Sequence, residues 1–491
     1  MDEFTEQSSD VVVVLAAGNG TRLKSSIPKV LHKIGGLAMV DHVIKSAKAI
    51  DPKAIVVVLN PAHEIATKED APMFAYYNEV LKAYQKIPTG SGDAVRCALN
   101  VLNHANKKKD GSVAIDCNQA NNANDWVYVL YADVPLVSPN VLRALKKVAL
   151  TYPETALVAL VMSAKGNQCL GRLEAAPEIG TIRSIVEAKD ARDCEKQRTE
   201  SKMIGDDAQS QNFLDLCNCG LLIRRDVLSE MIRKIRPSPV TGEFYITEIV
   251  RLIYDAGFVC RYYEGPVDEL SGANTMEELC VLEQHFQQQM RRKHTENGVR
   301  LVAPETVFFS HDTKIEPDVV VSPYVIFMDG VSIKSGSFID SFCTLQGTSI
   351  NCSSIGPFAR LRPGTEVHDN ASIGNFVEIK NSIISEKSKI NHLSYVGDSF
   401  VGMETNIGAG SVTCNYDGFT KYKTTIGNNV FIGSNSSIVA PVQVGNDAMV
   451  AAGSVVTHNV QDGDMVFARA RQKNIEKGAI IFRNKKRRSK I

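Results

Sequence analysis

The 491-residue chain predicts an α/β domain followed by a parallel β-helix. Two observations carry this. From Ile315 an apolar anchor recurs every six residues, at Ile315, Val321, Phe327, Ile333, Ile339 and Leu345, again at Ile355, Leu361, Val367, Ile373 and Ile379, and again at Ile426, Ile432, Ile438, Val444, Val450 and Val456. With 44% of residues hydrophobic, seventeen such positions would all be apolar by chance about once in a million trials. Upstream, the continuous run Val11–Leu15 and the segment Ala54–Leu59 read as buried parallel strands separated by an amphipathic stretch around Val40–Ala49, the alternation of a doubly wound sheet.

The repeat excludes a helix, because its Gly, Pro and β-branched content opposes one and its period is not 3.6. Four residues after each anchor stands a small or β-branched residue, as at Val319, Val325, Ser337, Cys343, Ala359, Thr365, Val430, Ser436, Val442, Ala448 and Ser454. Gly often follows the anchor directly (Gly356, Gly374, Gly427, Gly433, Gly445), which suggests turns that need a residue without a Cβ. Short strands of this kind bury their anchors only by stacking coil on coil. The phase slips between Ile379 and Val401, and a loop from Thr413 to Thr425 is expected to leave the coil on one face, either as a binding insertion or as an ordinary surface loop.

Composition narrows the function classes. Lys plus Arg equal Asp plus Glu at 55 each, which gives no charge-based case for nucleic acid or membrane. Eleven cysteines without zinc-like spacing suit reduced thiols in a cytoplasmic protein, with Cys217 and Cys219 structural. The acidic start Met1–Asp10 is not a signal peptide, and no apolar run has the length of a membrane span. The expected domains are 1–275, a linker helix 276–298, the β-helix 299–480 and a basic tail 481–491, whose Lys485–Arg488 run suits a solvated terminus and also an acidic partner.

In chain order, the first strand runs into Ala16-Ala17-Gly18-Asn19-Gly20-Thr21-Arg22, with Pro28-Lys29 soon after. A Gly-rich turn followed by cations lets backbone N–H groups and positive charge surround phosphate, although G-x-G alone equally suits a plain strand-to-helix turn. The stretch Gln85-Lys86-Ile87-Pro88-Thr89-Gly90-Ser91-Gly92-Asp93 reads as a Gly-rich helix start with Asp93 on its N-terminal dipole. Residues 103–125 and 196–211 read as surface insertions. Between them, Trp126–Leu136 places Asp133 at the carboxyl end of an apolar strand, where open α/β sheets bind ligands; a carboxylate there suits Mg2+, and it equally suits a helix N-cap.

The longer string L-A-A-G-x-G-T-R with P-K resembles the opening signature of nucleotide-sugar pyrophosphorylases, nucleotidyltransferases on a Rossmann-like sheet. The likeness continues through Gln85, Gly90 and Ser91, Tyr131-Ala132-Asp133, Gly171-Arg172, the Ile185–Ala191 segment with Glu187, Asn218-Cys219-Gly220, Gly242–Glu248 and Gly272-Ala273-Asn274. Thr89, Ser91, Asp93 and Ala132 depart from its usual Leu, Thr, His and Gly. The repeat resembles the left-handed hexapeptide-repeat acyltransferases, which work as trimers.

Taken together, the chain is similar to the bifunctional bacterial enzymes that join an N-acetylglucosamine-1-phosphate uridylyltransferase to a glucosamine-1-phosphate acetyltransferase. That resemblance implies UTP contacts at Leu15, Ala16, Ala17, Gly18, Arg22, Lys29, Gln85, Gly90, Ser91, Tyr131, Ala132, Asp133, Gly171, Glu187, Asn218 and Asn274, with Mg2+ on Asp133 and Asn274 and with Arg22 and Lys29 acting on the phosphates. It implies His392 as general base, Arg362, Lys380, Tyr395 and Asn406 on the amino sugar phosphate, and acetyl-CoA at Ala409, Asn415, Tyr416, Ser434, Ala452 and Arg469. It also implies a cytoplasmic homotrimer making UDP-N-acetylglucosamine, a precursor for peptidoglycan and lipid A. The residues themselves agree: Arg362 and Lys380 are cations suited to a sugar phosphate, and His392 is a residue type that can accept a proton from an attacking amine, although a lone His also suits a plain surface. Two other classes remain open, a single-activity sugar-1-phosphate nucleotidyltransferase whose β-helix only oligomerises or regulates, and a non-catalytic scaffold.

Overall fold

The computed structural model describes residues 9–18, 20–65, 73–104, 125–164, 171–187 and 213–488. Most of both expected insertions, Asn19, Leu170 and 188–191 of the Ile185–Ala191 segment lie outside the described residues. The chain divides into two compact units, Met1–Gln288 and Gln289–Ile491. The division falls inside the helix Met276–Glu296.

The first unit is a mixed sheet. In chain order its strands are β1 (Val11–Leu15), β2 (Ala54–Leu59), β3 (Leu81–Tyr84), β4 (Trp126–Tyr131), β5 (Thr155–Ser163), β6 (Arg172–Ala175), β7 (Ile182–Val186), β8 (Phe213–Arg224) and β9 (Val259–Glu264). They lie in the order β9-β5-β8-β4-β1-β2-β3, with the β6–β7 hairpin hydrogen-bonded to β8. β1 pairs in parallel with β2 and β4, β2 in parallel with β3, and β8 antiparallel to β4 and β5. Val11–Val14 are fully buried because helices cover both faces, which is why the run is continuous rather than alternating. On one face lie α1 (Met39–Lys48) and α3 (Pro139–Thr151), and on the other α2 (Ser91–His104) and α4 (Glu248–Asp255). Asp125, expected at the surface, is buried and accepts through its backbone from Arg225 N at 2.9 Å.

The second unit is a parallel β-helix of three sheets with ten, eight and eight strands, the left-handed fold expected from the repeat. Each anchor is buried and stacks on the anchor one coil on: Val321 on Ile339, Ile333 on Ile350, Phe327 on Leu345. Residues paired across a sheet are usually sixteen to eighteen apart in sequence, as in Val320 with Phe338 and Phe338 with Ser354.

Three expectations need correction. The slip after Ile379 is not a break: the chain takes five-residue legs from Ile379 to Ile384 and from Val396 to Val401, as it does through Leu345, Ile350 and Ile355, all buried. The loop begins later than expected, because Val412–Cys414 is a strand in which buried Thr413 takes the anchor place and satisfies its hydroxyl on Gly397. The excursion makes Ser399 pair with Thr424, twenty-five residues on.

The third correction concerns glycine. Apart from Gly356, the glycines after the anchors do not have a positive φ; the left-handed corner lies three residues after a six-residue anchor and is filled by Asp318, Tyr324, Phe342, Phe358, Phe376, Leu393 and others. Gly374, Gly427, Gly433 and Gly445 are required by close approach, since a Cβ on Gly374 would stand 2.0 Å from the Asn391 carbonyl oxygen of the next coil. The corner rings of Tyr324, Phe342, Phe358 and Phe376 stack at 5.0, 4.8 and 5.0 Å between centroids while remaining exposed. A final helix, Gly478–Arg488, overlaps the expected boundary of the basic tail.

Candidate active sites

In the sheet unit the expected residues converge on the carboxyl ends of the parallel strands. Leu15 ends β1, where its carbonyl accepts from Ala132 N at 3.1 Å, and Ala16 N donates to Val58 O at 2.9 Å, so Leu15–Gly18 and Tyr131–Asp133 leave the sheet side by side. Gly20 is left-handed, and a Cβ on it would meet Lys29 Cβ at 2.4 Å, which fixes the turn that carries Arg22 close to Lys29. Gly18 has open space where a Cβ would be, so no contact among the described residues demands glycine there.

Lys29 is 8% exposed, and its Nζ donates to Asp133 Oδ2 at 2.5 Å and to Asn274 Oδ1 at 2.7 Å. Arg22 Nη2 donates to the same Asn274 oxygen at 2.8 Å. Asn274 is held by a capping box at the start of α5 (Met276–Glu296): Glu278 N donates to Thr275 Oγ1, while Glu278 Oε2 accepts from Thr275 N and Asn274 N. Ala273 N donates to Asp133 O at 3.1 Å and Gly272 lies against the same carbonyl, which brings this distant segment to the end of β4. Four residues from three parts of the chain thus form one cluster.

The remaining expected residues of this unit line the same edge. Asn218 Nδ2 donates to Tyr131 Oη at 3.0 Å, and burial, followed by the Glu187 carboxylate, pushes the Tyr131 phenol far above its ordinary range. Gly171 and Glu187 flank the paired residues Arg172 and Val186 at the open end of the β6–β7 hairpin. Thr247 donates to Glu187 Oε1 at 2.8 Å. Ser91 Oγ accepts from Ile246 N at 2.9 Å, a structural tie that leaves its O–H free to donate, and Gly90, at φ +123°, admits no Cβ beside Phe244 O. Ala132 is fully buried.

In the β-helix unit the expected residues fall into three groups. His392 pairs laterally with Asn375, and its Nδ1 lies 2.9 Å from Asn375 Oδ1. In the tautomer with the hydrogen on Nδ1, that nitrogen donates to Asn375 Oδ1 and Nε2 is left as the acceptor. Asn375 is the residue that sequence reasoning missed here, because its partner is seventeen residues away.

The second group is cationic. Arg362 directly follows the strand Arg360–Leu361 and Lys380 ends the strand Glu378–Lys380 on the next coil, and Arg362 Nη1 donates to Glu378 Oε1 at 2.8 Å. Lys421, also missed, reaches Lys380 from the inserted loop, and its ammonium is the first cause holding the Lys380 pKa below the usual lysine range. Asp398 accepts from Asn381 at 2.6 Å and from Asn415, and it lies close enough to both lysines to offset their charge. Tyr395 pairs with Glu378 on the same face, and Asn406 pairs with Lys389 on the adjoining sheet. Among the described residues no hydrogen bond joins His392 to Arg362 or Lys380; the five residues from His392 to Gly397, the partner of Lys380, span at most about 17 Å.

The third group continues the His392 column. The second residue after successive anchors is Asn375, His392, Ala409, Ser434 and Ala452, since Ile373, Ile390, Ile407, Ile432 and Val450 stack in register. Beyond His392 the column therefore turns small and runs about 14 Å to Ala452. There Arg469 Cδ lies 3.9 Å from where a Gly453 Cβ would be. Tyr416 stands exposed on the loop after Asn415.

Comparisons with known proteins agree with this division. A MobA-like NTP transferase domain matches residues 12–199, and the hexapeptide repeat of succinyl-transferase matches 423–458. A relative from Paramagnetospirillum magneticum named bifunctional protein GlmU is 38% identical over 474 residues, 96% of each chain. Its namesake from Zymomonas mobilis is 37% identical and covers 97% of this chain and 98% of its own. A solved UDP-glucose pyrophosphorylase complexed with UDP-glucose aligns with 57% of this chain at 16% identity and a TM-score of 0.40, too distant to add to the strand order above.

Proposed function

The chain belongs to the bifunctional GlmU family, and from that membership we propose two consecutive reactions on two sites. The β-helix unit transfers acetyl from acetyl-CoA to glucosamine-1-phosphate. The sheet unit then joins the resulting N-acetylglucosamine-1-phosphate to UTP with release of pyrophosphate.

The observation that carries the first reaction is the His392–Asn375 pair. Nδ1 is engaged, so Nε2 takes the proton from the amino group as the N–C bond forms, and returns it to the thiolate as the C–S bond breaks. Arg362, Lys380 and Lys421 balance the sugar phosphate, while Tyr395 and Asn406 border it. The strip Ala409, Ser434, Ala452 leaves room for an extended thioester arm that ends near Arg469 and passes Asn415 and Tyr416. Asn415 Nδ2 and backbone N–H groups are the candidate oxyanion donors.

For the second reaction, an acceptor phosphate oxygen attacks the α-phosphorus of UTP in line. Such transfers depend on position and charge, which Arg22, Lys29 and the turn Leu15–Gly18 supply. Asp133 Oδ2 and Asn274 Oδ1 converge on one cation, the Lys29 ammonium, so this pair of hard oxygen donors suits Mg2+. Held by Asp133 and Asn274, Mg2+ would supply positive charge to offset that of the phosphates. Gln85, Gly90 and Ser91 border the base, and Gly171, Glu187 and Asn218 the sugar.

A cytoplasmic homotrimer formed through the β-helix completes the reading. The exposed stack of Tyr324, Phe342, Phe358 and Phe376 supports it, being an apolar edge that a second copy would cover. The proposed partners are small molecules, with neither nucleic acid nor membrane. His392→Ala should abolish acetyl transfer while UDP-N-acetylglucosamine still forms from supplied N-acetylglucosamine-1-phosphate, and Asp133→Ala should do the reverse. Loss of both activities in either variant refutes the two-site reading.

A further inference from the structure

Thr89 and Asp93 depart from the family pattern together, and the structure joins them. Thr89 Oγ1 donates to Asp93 Oδ2 at 2.8 Å, and the same carboxylate accepts from Gln85 Nε2 at 3.0 Å. The other hydrogen of Nε2 goes to Gly90 O at 2.9 Å. Gln85 is 4% exposed, directly follows β3, and is fixed through its own N–H to Leu59 O at the end of β2.

The orientation of this amide is not ambiguous. Both neighbours of Nε2, a carbonyl and a carboxylate, only accept, so a flipped amide would set oxygen against two oxygens. Oε1 accepts nothing among the described residues, so the acceptor of this amide is left for a ligand. Resting on the reading above that Gln85 borders the base, we propose that the Thr89–Asp93 pair positions Gln85 to present an acceptor to the N3–H of uracil, making UTP the preferred nucleotide. Cytosine carries a lone pair at N3, which would face Oε1 as acceptor against acceptor. A site built to bind one hydrogen rejects the analogue lacking it far more strongly than a site lined by apolar groups does.

Asp93 and Thr89 are positioning residues, so the readout is a ratio. In the full chain, the kcat/KM ratio for UTP over CTP should fall roughly tenfold in Asp93→Ala, mainly through a higher KM for UTP, because the amide becomes free to rotate. Asp93→Asn should recover most of the ratio, since its carbonyl can still accept from Nε2. A general weakening of the start of α2 would scale both nucleotides alike, so an unchanged ratio in Asp93→Ala overturns the proposal. Gln85→Ala separates the two levels. If it collapses the ratio while Asp93→Ala does not, only the positioning role falls; if it leaves the ratio intact, the placement of Gln85 at the base falls as well.

Discussion

His294 offers a pH-dependent stability that can be worked out from its surroundings. It lies in the last turn of α5, 2% exposed, stacked on Phe309 at 4.8 Å, which in turn stacks on Phe327 at 5.3 Å. Among the described residues neither ring nitrogen has a hydrogen-bond partner. Burial, and secondarily the neighbouring Lys293, lowers its pKa from 6.5 to about 4. Between those values the unfolded chain binds a proton that the folded chain refuses. The neutral ring therefore leaves stability whole above pH 6.5, and stability is lost as pH falls through about 4. At pH 5 the loss is about 2 kcal/mol, and it approaches about 3 kcal/mol once both states are protonated. His294→Phe keeps a ring against Phe309 but cannot titrate. Urea unfolding of both proteins at pH 7.5 and 5.0, followed by tyrosine fluorescence and far-ultraviolet dichroism, reads the difference. Trp126, the single tryptophan, reports the other unit and serves as an internal control. The wild type should lose about 2 kcal/mol more than the variant on acidification. Equal losses would show that His294 accepts a proton in the folded state.

Further expectations concern the acetyl site. Asn375→Ala should lower kcat for acetyl transfer roughly tenfold or more while uridylyl transfer stays unchanged, because His392 loses the partner that sets its tautomer; an unchanged kcat removes Asn375 from the mechanism. Lys421→Ala should raise KM for glucosamine-1-phosphate. It should also move the alkaline limb of the acetyl-transfer pH profile upward, since Lys421 is what lowers Lys380; a limb that stays in place would mean another group sets it. Gly374→Ala would force its Cβ against the Asn391 backbone beside His392. Acetyl transfer should be lost and the β-helix destabilised by about 1–3 kcal/mol, with uridylyl transfer retained; normal acetyl transfer would show that the coils can separate there.

The β-helix was legible because burial fixes a side-chain period, and an anchor cannot leave the stack without exposing itself. What the period hides is the backbone. Five-residue legs at Leu345–Ile355 and Ile379–Ile384 look like lost phase, yet they keep every anchor inside by shortening the corner. The left-handed corners were invisible because L residues avoid that region, and here it is filled by Tyr324, Phe342, Phe358 and Phe376. Stacking the rings coil on coil offsets a local backbone cost of about 1–2 kcal/mol each, a compensation that exists only once the coils are assembled.

The candidate sites divide along a similar line. Residues at the carboxyl ends of strands, such as Asp133, could be read from position because open α/β sheets bind ligands there. Their partners could not, since Lys29, Arg22 and Asp133 meet Asn274 across more than a hundred residues, and only the capping box at Thr275 and Glu278 determines where Asn274 points. The same logic explains why Thr89 and Asp93 looked like losses. Judged one at a time, each replaces an expected side chain; judged by hydrogen bonds, they satisfy one another and the amide of Gln85, so a single altered residue would leave a nearly buried donor unpaired while the pair leaves none. Departures that are mutually bonded therefore argue for a retained site, and Thr89 and Asp93 weigh against a non-catalytic scaffold.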